Sequence, residues 1–301
     1  METNWSYILI TPARNEEAYI EKTIQSVISQ TILPKRWIIV SDGSTDRTDE
    51  IVKHYESQNG WIELIRMPEH GDRHFAAKVH AFNAGYNKVR KLTYEVIGNL
   101  DADLSFESDY MEYLLTKFIE FPELGVAGTP FVEDKSDGYD YNFTNIEHVS
   151  GACQLFRREC FEEIGGYKPI KSGGIDWVAV TTARMKGWKT KTFTEKKIMH
   201  YRQIGTGKNN VLMARLKLGE KDYCLGNHPV WEVARSAYQM ATDKPPILAG
   251  LFILLGYIFA LVKKTERPIS EDLIEFCRTE QMQRLKKMVA RITESNGLSD
   301  S

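Results

Sequence analysis

The sequence predicts an α/β fold, a mostly parallel sheet with helices on both faces, followed by a helical C-terminal tail. Three observations carry this. Short apolar runs alternate with helical patterns from residue 1 to about 200, the early runs end in polar clusters, and the last ~70 residues change to long apolar and basic helical stretches. The chain's 301 residues suffice for one large domain with an appendage, and 42% hydrophobic with 27% charged residues is a globular composition.

The elements follow in order. "YILIT" (7–11) is a buried strand, and Asn15 precedes a helix expected over 16–30, with Ile20, Ile24, Val27 and Ile28 on one face. "WIIVS" (37–41) is the second strand, and "DGSTDRT" (42–48) is a turn in which Thr45 or Asp46 caps the next helix. "WIELIR" (61–66) is the third strand, a helix spans about 74–90, and the strand within "EVIGNL" runs into Asp101. Such a β-α alternation makes the strands parallel, and ligands of parallel sheets bind beyond the carboxyl ends of the strands. "PARNEE", "DGSTD" and "DAD" therefore converge at one rim.

A buried strand ending in Asp101 and Asp103 suits a hard cation, Mg²⁺ or Mn²⁺, which would neutralise a diphosphate. An acidic turn helped by Ser105 is the plainer alternative. "SDGSTDRT" likewise reads either as a turn with a helix cap or as a place where Asp42 accepts hydrogen bonds from a base or ribose. Glu16 and Glu17 can simply favour a helix N-terminus.

Other classes are set aside. A net charge of −2 points away from nucleic acid. Cys153, Cys160, Cys224 and Cys277 form no CxxC pair, which suits reduced thiols, and Cys153 lacks the surroundings of a nucleophile. The N-terminus shows no signal-peptide pattern. "GTGK" (205–208) is no phosphate loop, because the Walker spacing needs glycine where Arg202 stands. No GxGxxG follows the first strand, so a nicotinamide enzyme is not expected.

Together, "ILITPARNEEAYIEKTIQSVISQT", "IIVSDGSTDRTDEIV", "AAKVHAFNAG" and "GNLDADLSF" resemble the family 2 glycosyltransferases, with the Rossmann-like GT-A fold. "GACQLFRRECFEEIGGY" and "GIDWVAVTTARMKGWKT" match the family's acceptor-side segments, so the resemblance covers roughly 5–205. It implies inverting transfer from a nucleoside-diphosphate sugar to an acceptor hydroxyl, in polysaccharide or surface-glycan assembly. By position, Pro12, Ala13, Arg14 and Glu16 would hold the nucleotide, Asp42 the base, and Lys78 the nucleotide or its phosphates. Asp101 would touch ribose or metal, Asp103 would bind the metal, and His200 resembles a position that completes the metal or diphosphate site. Asp176 falls at the family's catalytic base, where a helix N-cap is the local alternative; the glutamate usual before it is Ile175 here. The competing functions are a non-catalytic sugar-nucleotide or glycan binder on the same fold and a metal-dependent nucleotidyltransferase.

The expected catalytic domain spans 1–232 and the helical region 233–301. Ile247 to Val262 are sixteen uncharged, mostly apolar residues. As a helix they reach about 24 Å, short for a ~30 Å hydrocarbon core. With Lys263 and Lys264 behind it and a basic amphipathic helix over about 271–292, the segment suggests a peripheral or monotopic anchor on the cytoplasmic face of a membrane. A glycan or lipid-linked sugar acceptor would fit that location.

Overall fold

The computed structural model describes residues 5–69, 75–133, 136–137, 146–202 and 211–297. "GTGK" lies outside them. The chain forms two compact units, Met1–Ile204 and Gly205–Ser301.

The first unit runs β1 (Tyr7–Ala13), α1 (Ile20–Ile28), β2 (Arg36–Asp42), α2 (Thr48–Gln58), β3 (Ile62–Met67), α3 (Phe75–Val89), β4 (Val96–Leu100), β5 (Leu104–Ser105), α4 (Tyr110–Glu120), β6 (Leu124–Gly128), β7 (Phe131–Glu133), β8 (Ser136–Asp137), β9 (Cys153–Arg157), α5 (Arg158–Glu163), α6 (Ile175–Met185), β10 (Lys189–Thr192) and β11 (Ile198–His200). The main sheet has the order β10-β6-β9-β4-β1-β2-β3. Its pairs are parallel except those made by β9, which runs antiparallel between β4 and β6. The four early strands are thus parallel as expected.

Alternation along the strands divides the core between two faces. Leu9, Trp37, Ile39, Val96 and Leu100 meet Ile20, Ile24 and Val27 of α1 and Leu114, Leu115 and Phe118 of α4. Ile8, Ile10, Ile38, Val40 and Ile97 meet Val79 and Phe82 of α3, Phe161 of α5, and Ala179, Val180 and Ala183 of α6. Both faces are covered, which is why these strands read as continuous apolar runs.

Two local expectations change. The helix expected from residue 16 begins at Ile20, because the backbone N–H groups of Glu16 and Glu17 are drawn to the second loop, donating to Thr48 Oγ1 at 2.8 Å and Asp46 Oδ2 at 3.1 Å. Pro12 and Ala13, expected in a loop, end β1. Beyond Ile10 the strand pairs only with β2, so proline costs little there.

A smaller sheet, β5-β11-β7-β8, sits in the same unit. β11 pairs antiparallel with β5, setting Met199 opposite Ser105 and His200 opposite Leu104.

The second unit contains α7 (Val211–Cys224), α8 (Pro229–Thr242), α9 (Leu248–Val262) and α10 (Glu271–Gly297). α7 therefore belongs with the tail, and the division falls at 204/205 rather than at the expected 232/233. The cause is a backbone-close packing of α7 on α9: a Cβ on Gly219 would strike the backbone of Ile253, and one on Gly256 the backbone of Leu216.

The apolar segment has two faces. Ala249, Gly250, Ile253, Gly256, Tyr257 and Ala260 are buried, while Leu255, Ile258, Phe259 (57% exposed), Leu261 and Val262 (76% exposed) point outward. No helix among the described residues is long and apolar enough to cross a membrane. Leu273, Ile274 and Cys277 of α10 are buried, so much of its apolar stripe is already used.

Candidate active site

The first two rim loops are laced together. Asn15, in the left-handed region at φ 56, accepts on Oδ1 from the Thr45 N–H at 2.8 Å, and its own N–H donates to Ser44 Oγ at 3.2 Å. Glu17 accepts from the Arg47 N–H at 3.0 Å. Asp46 takes the Thr48 N–H at 3.0 Å, but the N-cap of α2 is Arg47, so neither Thr45 nor Asp46 is the cap the sequence suggested. Arg14 lies 4.0 Å from buried Asp42, so these two predicted nucleotide contacts face one another.

The third loop carries the carboxylates. The N–H of Asp101 donates to the Ala152 carbonyl at 2.8 Å, fixing the end of β4 against the start of β9. Asp101 Oδ1 accepts from Lys78 Nζ, in the first turn of α3, at 2.5 Å. Burial raises the Asp101 pKa, with Lys78 opposing and Asp103 adding to the rise. For Lys78 the outcome is reversed: burial disfavours its charge, but Asp101 outweighs this and raises its pKa.

Asp103 is buried, and its Oδ1 is 3.4 Å from His200 Nε2. The β5–β11 pairing brings these distant residues together. One ligand atom each from Asp101, Asp103 and His200 lie within 4.8 Å of one another. His200 Nδ1 is buried without a hydrogen bond, 3.6 Å from Glu133 Oε1. Burial opposes charging this ring, yet the bond and charge of Asp103, with Asp101 and Glu133, raise its pKa. Two carboxylates and an imidazole in this small volume form a donor set suited to Mn²⁺, and Glu133 is positioned to orient the imidazole.

Glu16 stands at the edge of the same cluster. Burial lifts its pKa to about 7, and the charges of Asp103 and Asp101 act in the same direction against the opposing Arg202. Arg202 Nη2 donates to Glu16 Oε2 at 2.6 Å, and Arg202 Nε is 3.9 Å from Asp103 Oδ2.

Asp176 lies in the first turn of α6. The N-cap is Gly174, at φ 84, so the N-cap alternative for Asp176 does not hold. Its Oδ2 instead accepts the Gly151 N–H at 3.2 Å, and a Cβ at Gly151 would come within 2.8 Å of Asp176 Cβ. Asn99 donates to the Gly151 carbonyl at 2.6 Å, tying this loop to β4.

The fold therefore gathers Glu16, Lys78, Asp101, Asp103 and His200 with Arg202, and the charge of Asp176 is felt at Lys78. Pro12 and Ala13 contribute strand-end backbone, Ala13 being buried. Sequence reading missed Arg202, Glu133, Asn99 and Gly151. The spacing of His200 and Arg202 in "MHYR", alternate residues at a strand end, was the one available signal.

Residues 8–142 match the model of glycosyl transferase family 2. A poly-beta-1,6-N-acetyl-D-glucosamine synthase of Staphylococcus aureus is 31% identical over 123 residues, 40% of this chain and 28% of that protein. The synthase of Staphylococcus epidermidis is 31% identical over 171 residues, 50% of this chain and 39% of that protein. The chain thus matches well under half the length of these relatives. In fold it is similar to the mannosyltransferase PcManGT of Pyrobaculum calidifontis, solved with GDP-Man and Mn²⁺, at TM-score 0.55 and 19% identity, covering 93% of this chain and 80% of that one. It is also similar to S. aureus TarS 1-349 in complex with UDP-GlcNAc, at TM-score 0.54 and 12% identity, covering 90% and 78%. Residues 8–142, which carry Asp42, Lys78, Asp101 and Asp103, are thus the part of the chain that is similar to glycosyl transferase family 2.

Proposed function

We propose that the protein is an inverting glycosyltransferase that moves a sugar from a nucleoside-diphosphate sugar to an acceptor hydroxyl in glycan assembly. The observation that carries this is the joint presence of the Asp101-Asp103-His200 cluster and of Asp176, whose charge reaches Lys78 beside Asp101 from another segment. The relatives named as poly-N-acetylglucosamine synthases support the glycan product.

In this reading Asp42, with Arg14 beside it, accepts hydrogen bonds from the nucleoside, and the strand-end backbone of Pro12 and Ala13 lines its approach. Asp101, Asp103 and His200 hold the cation, Mn²⁺ by the imidazole in the set and Mg²⁺ as the other candidate. When bound, that cation stabilises the charge gathering on the departing diphosphate. Asp176 accepts the proton of the acceptor hydroxyl as its oxygen bonds to the anomeric carbon and the sugar–phosphate bond breaks on the opposite face. The Gly151 N–H orients the carboxylate for that transfer.

The outward face of α9, with Lys263 and Lys264 after it, is proposed to rest on an anionic membrane surface, on the side where nucleotide sugars are made. A lipid-linked acceptor would be met there. Flotation with phosphatidylglycerol vesicles tests this. The wild type should float and an Ile258→Glu/Phe259→Glu variant should not; equal flotation rejects the surface.

A thermal-shift panel of UDP-GlcNAc, UDP-glucose and GDP-mannose, each with Mn²⁺, tests the donor reading. One donor at about 100 times its Kd should add roughly 2.7 kcal/mol of stability. No shift with any nucleoside-diphosphate sugar counts against a donor site.

A further inference from the structure

Asp103 lies between an imidazole and a guanidinium. Its Oδ1 is 3.4 Å from His200 Nε2, and its Oδ2 is 3.9 Å from Arg202 Nε. The same guanidinium donates to Glu16 Oε2 at 2.6 Å, so one side chain bridges carboxylates of the first and third rim loops. Lys78 engages Asp101 at 2.5 Å in the same way. Both aspartates of the cluster therefore have a basic side chain of the protein itself as partner.

The backbone beside Arg202 is anchored. The Tyr201 N–H donates to the Asp103 carbonyl at 3.0 Å, its ring stacks on Tyr19 with centroids 5.8 Å apart, and Lys22 sits 4.1 Å over that ring. The Tyr201 hydroxyl is 2.8 Å from Ser105 Oγ. The Arg202 side chain itself is 46% exposed, so its guanidinium can turn about a fixed base.

A divalent ion on Asp101, Asp103 and His200 would lie close to this guanidinium and be repelled by it. That repulsion weakens binding of the ion wherever nothing screens the two charges from each other. A diphosphate reverses the sign, since its oxygens accept the planar fork of an arginine while also meeting the metal. We propose that Arg202 is a positioning residue that makes metal binding depend on the nucleotide: parked on Glu16 and Asp103 it disfavours metal alone, and moved to the diphosphate it favours metal and donor together. This rests on the metal reading above, and it adds a residue and an order of events to that reading.

Titration of the full chain with Mn²⁺, with and without saturating UDP or GDP, tests it. In wild type the nucleotide that binds should tighten Mn²⁺ by at least about tenfold, within the usual range of coupling between sites. Arg202→Met should bind Mn²⁺ alone on the order of tenfold more tightly and lose most of the nucleotide enhancement. Arg202→Lys keeps the charge and should retain weak binding of metal alone. Unchanged Mn²⁺ affinity and enhancement in Arg202→Met overturn the inference while leaving the metal site standing. Arg202→Lys behaving as Arg202→Met also overturns it, because charge would then not be the cause. Absence of Mn²⁺ binding to wild type, with either nucleotide present, overturns the metal reading and this inference with it.

Discussion

Asp176 is available for chemistry because Gly174 caps α6 in its place. Ile175, where the family usually has glutamate, packs against the core on the α6 side of the sheet, so the departure adds an apolar contact and leaves the carboxylate anchored to Gly151. Asp176→Asn keeps side-chain volume and can still accept that bond. Transfer should fall by about 10²–10⁴, as for loss of a general base, while donor affinity and melting temperature stay near wild type. Transfer within a few-fold of wild type would assign the base elsewhere. The strand-end groups Asp42, Asp101 and Asp103 were legible because a buried apolar run ending in carboxylates is a local pattern. The partners of His200 were not. Asp103 and Glu133 join it only through the pairing of β11 with β5 and with β7, strands far apart in the chain, which no local pattern encodes.

Among the elements, β1 to β4 and their helices were readable from apolar runs and helical spacing. The antiparallel β9 was not, because Gln154 and Arg157 interrupt the apolar run of "CQLFR" and strand direction leaves no mark on composition. The start of α1 was misplaced because side chains of a loop some 30 residues away capture its N–H groups. In the second unit α8 carries a further testable feature. Glu232 is fully buried, its Oε2 accepts from Asn227 at 3.0 Å, and its Oε1 lies 3.8 Å from Arg235 Nη1. Burial, then the charge of Asp222, raises its pKa from 4.5 to about 7. Between those values the folded chain holds a proton that the unfolded chain releases, so this group makes stability fall as pH rises through the window. Glu232→Gln should remove that slope. Relative to the variant, wild type should lose about 1–3 kcal/mol between pH ~4.5 and pH ~8, measured by denaturant unfolding. Parallel profiles would show that Glu232 stays ionised throughout.

At the scale of the whole molecule, the family match ends at residue 142, before Asp176, His200 and Arg202. The fold brings His200 and Arg202 to Asp103 and Glu16 of the matched segment, and sets Gly151, which holds Asp176, against Asn99. The two-unit division follows from helix packing through Gly219 and Gly256, which apolar periodicity alone does not reveal. The central claim is that Asp101, Asp103 and His200 hold the cation that supports loss of the diphosphate. The most direct measurement is nucleoside diphosphate release from the stabilising donor, for wild type and Asp103→Asn, with Mn²⁺, with EDTA, and with Mn²⁺ restored. Wild-type release should stop with EDTA and return with Mn²⁺, while Asp103→Asn should fall at least about 10²-fold, the scale of losing electrostatic stabilisation at a leaving group. Release that is indifferent to EDTA, or an Asp103→Asn variant as active as wild type, would contradict it.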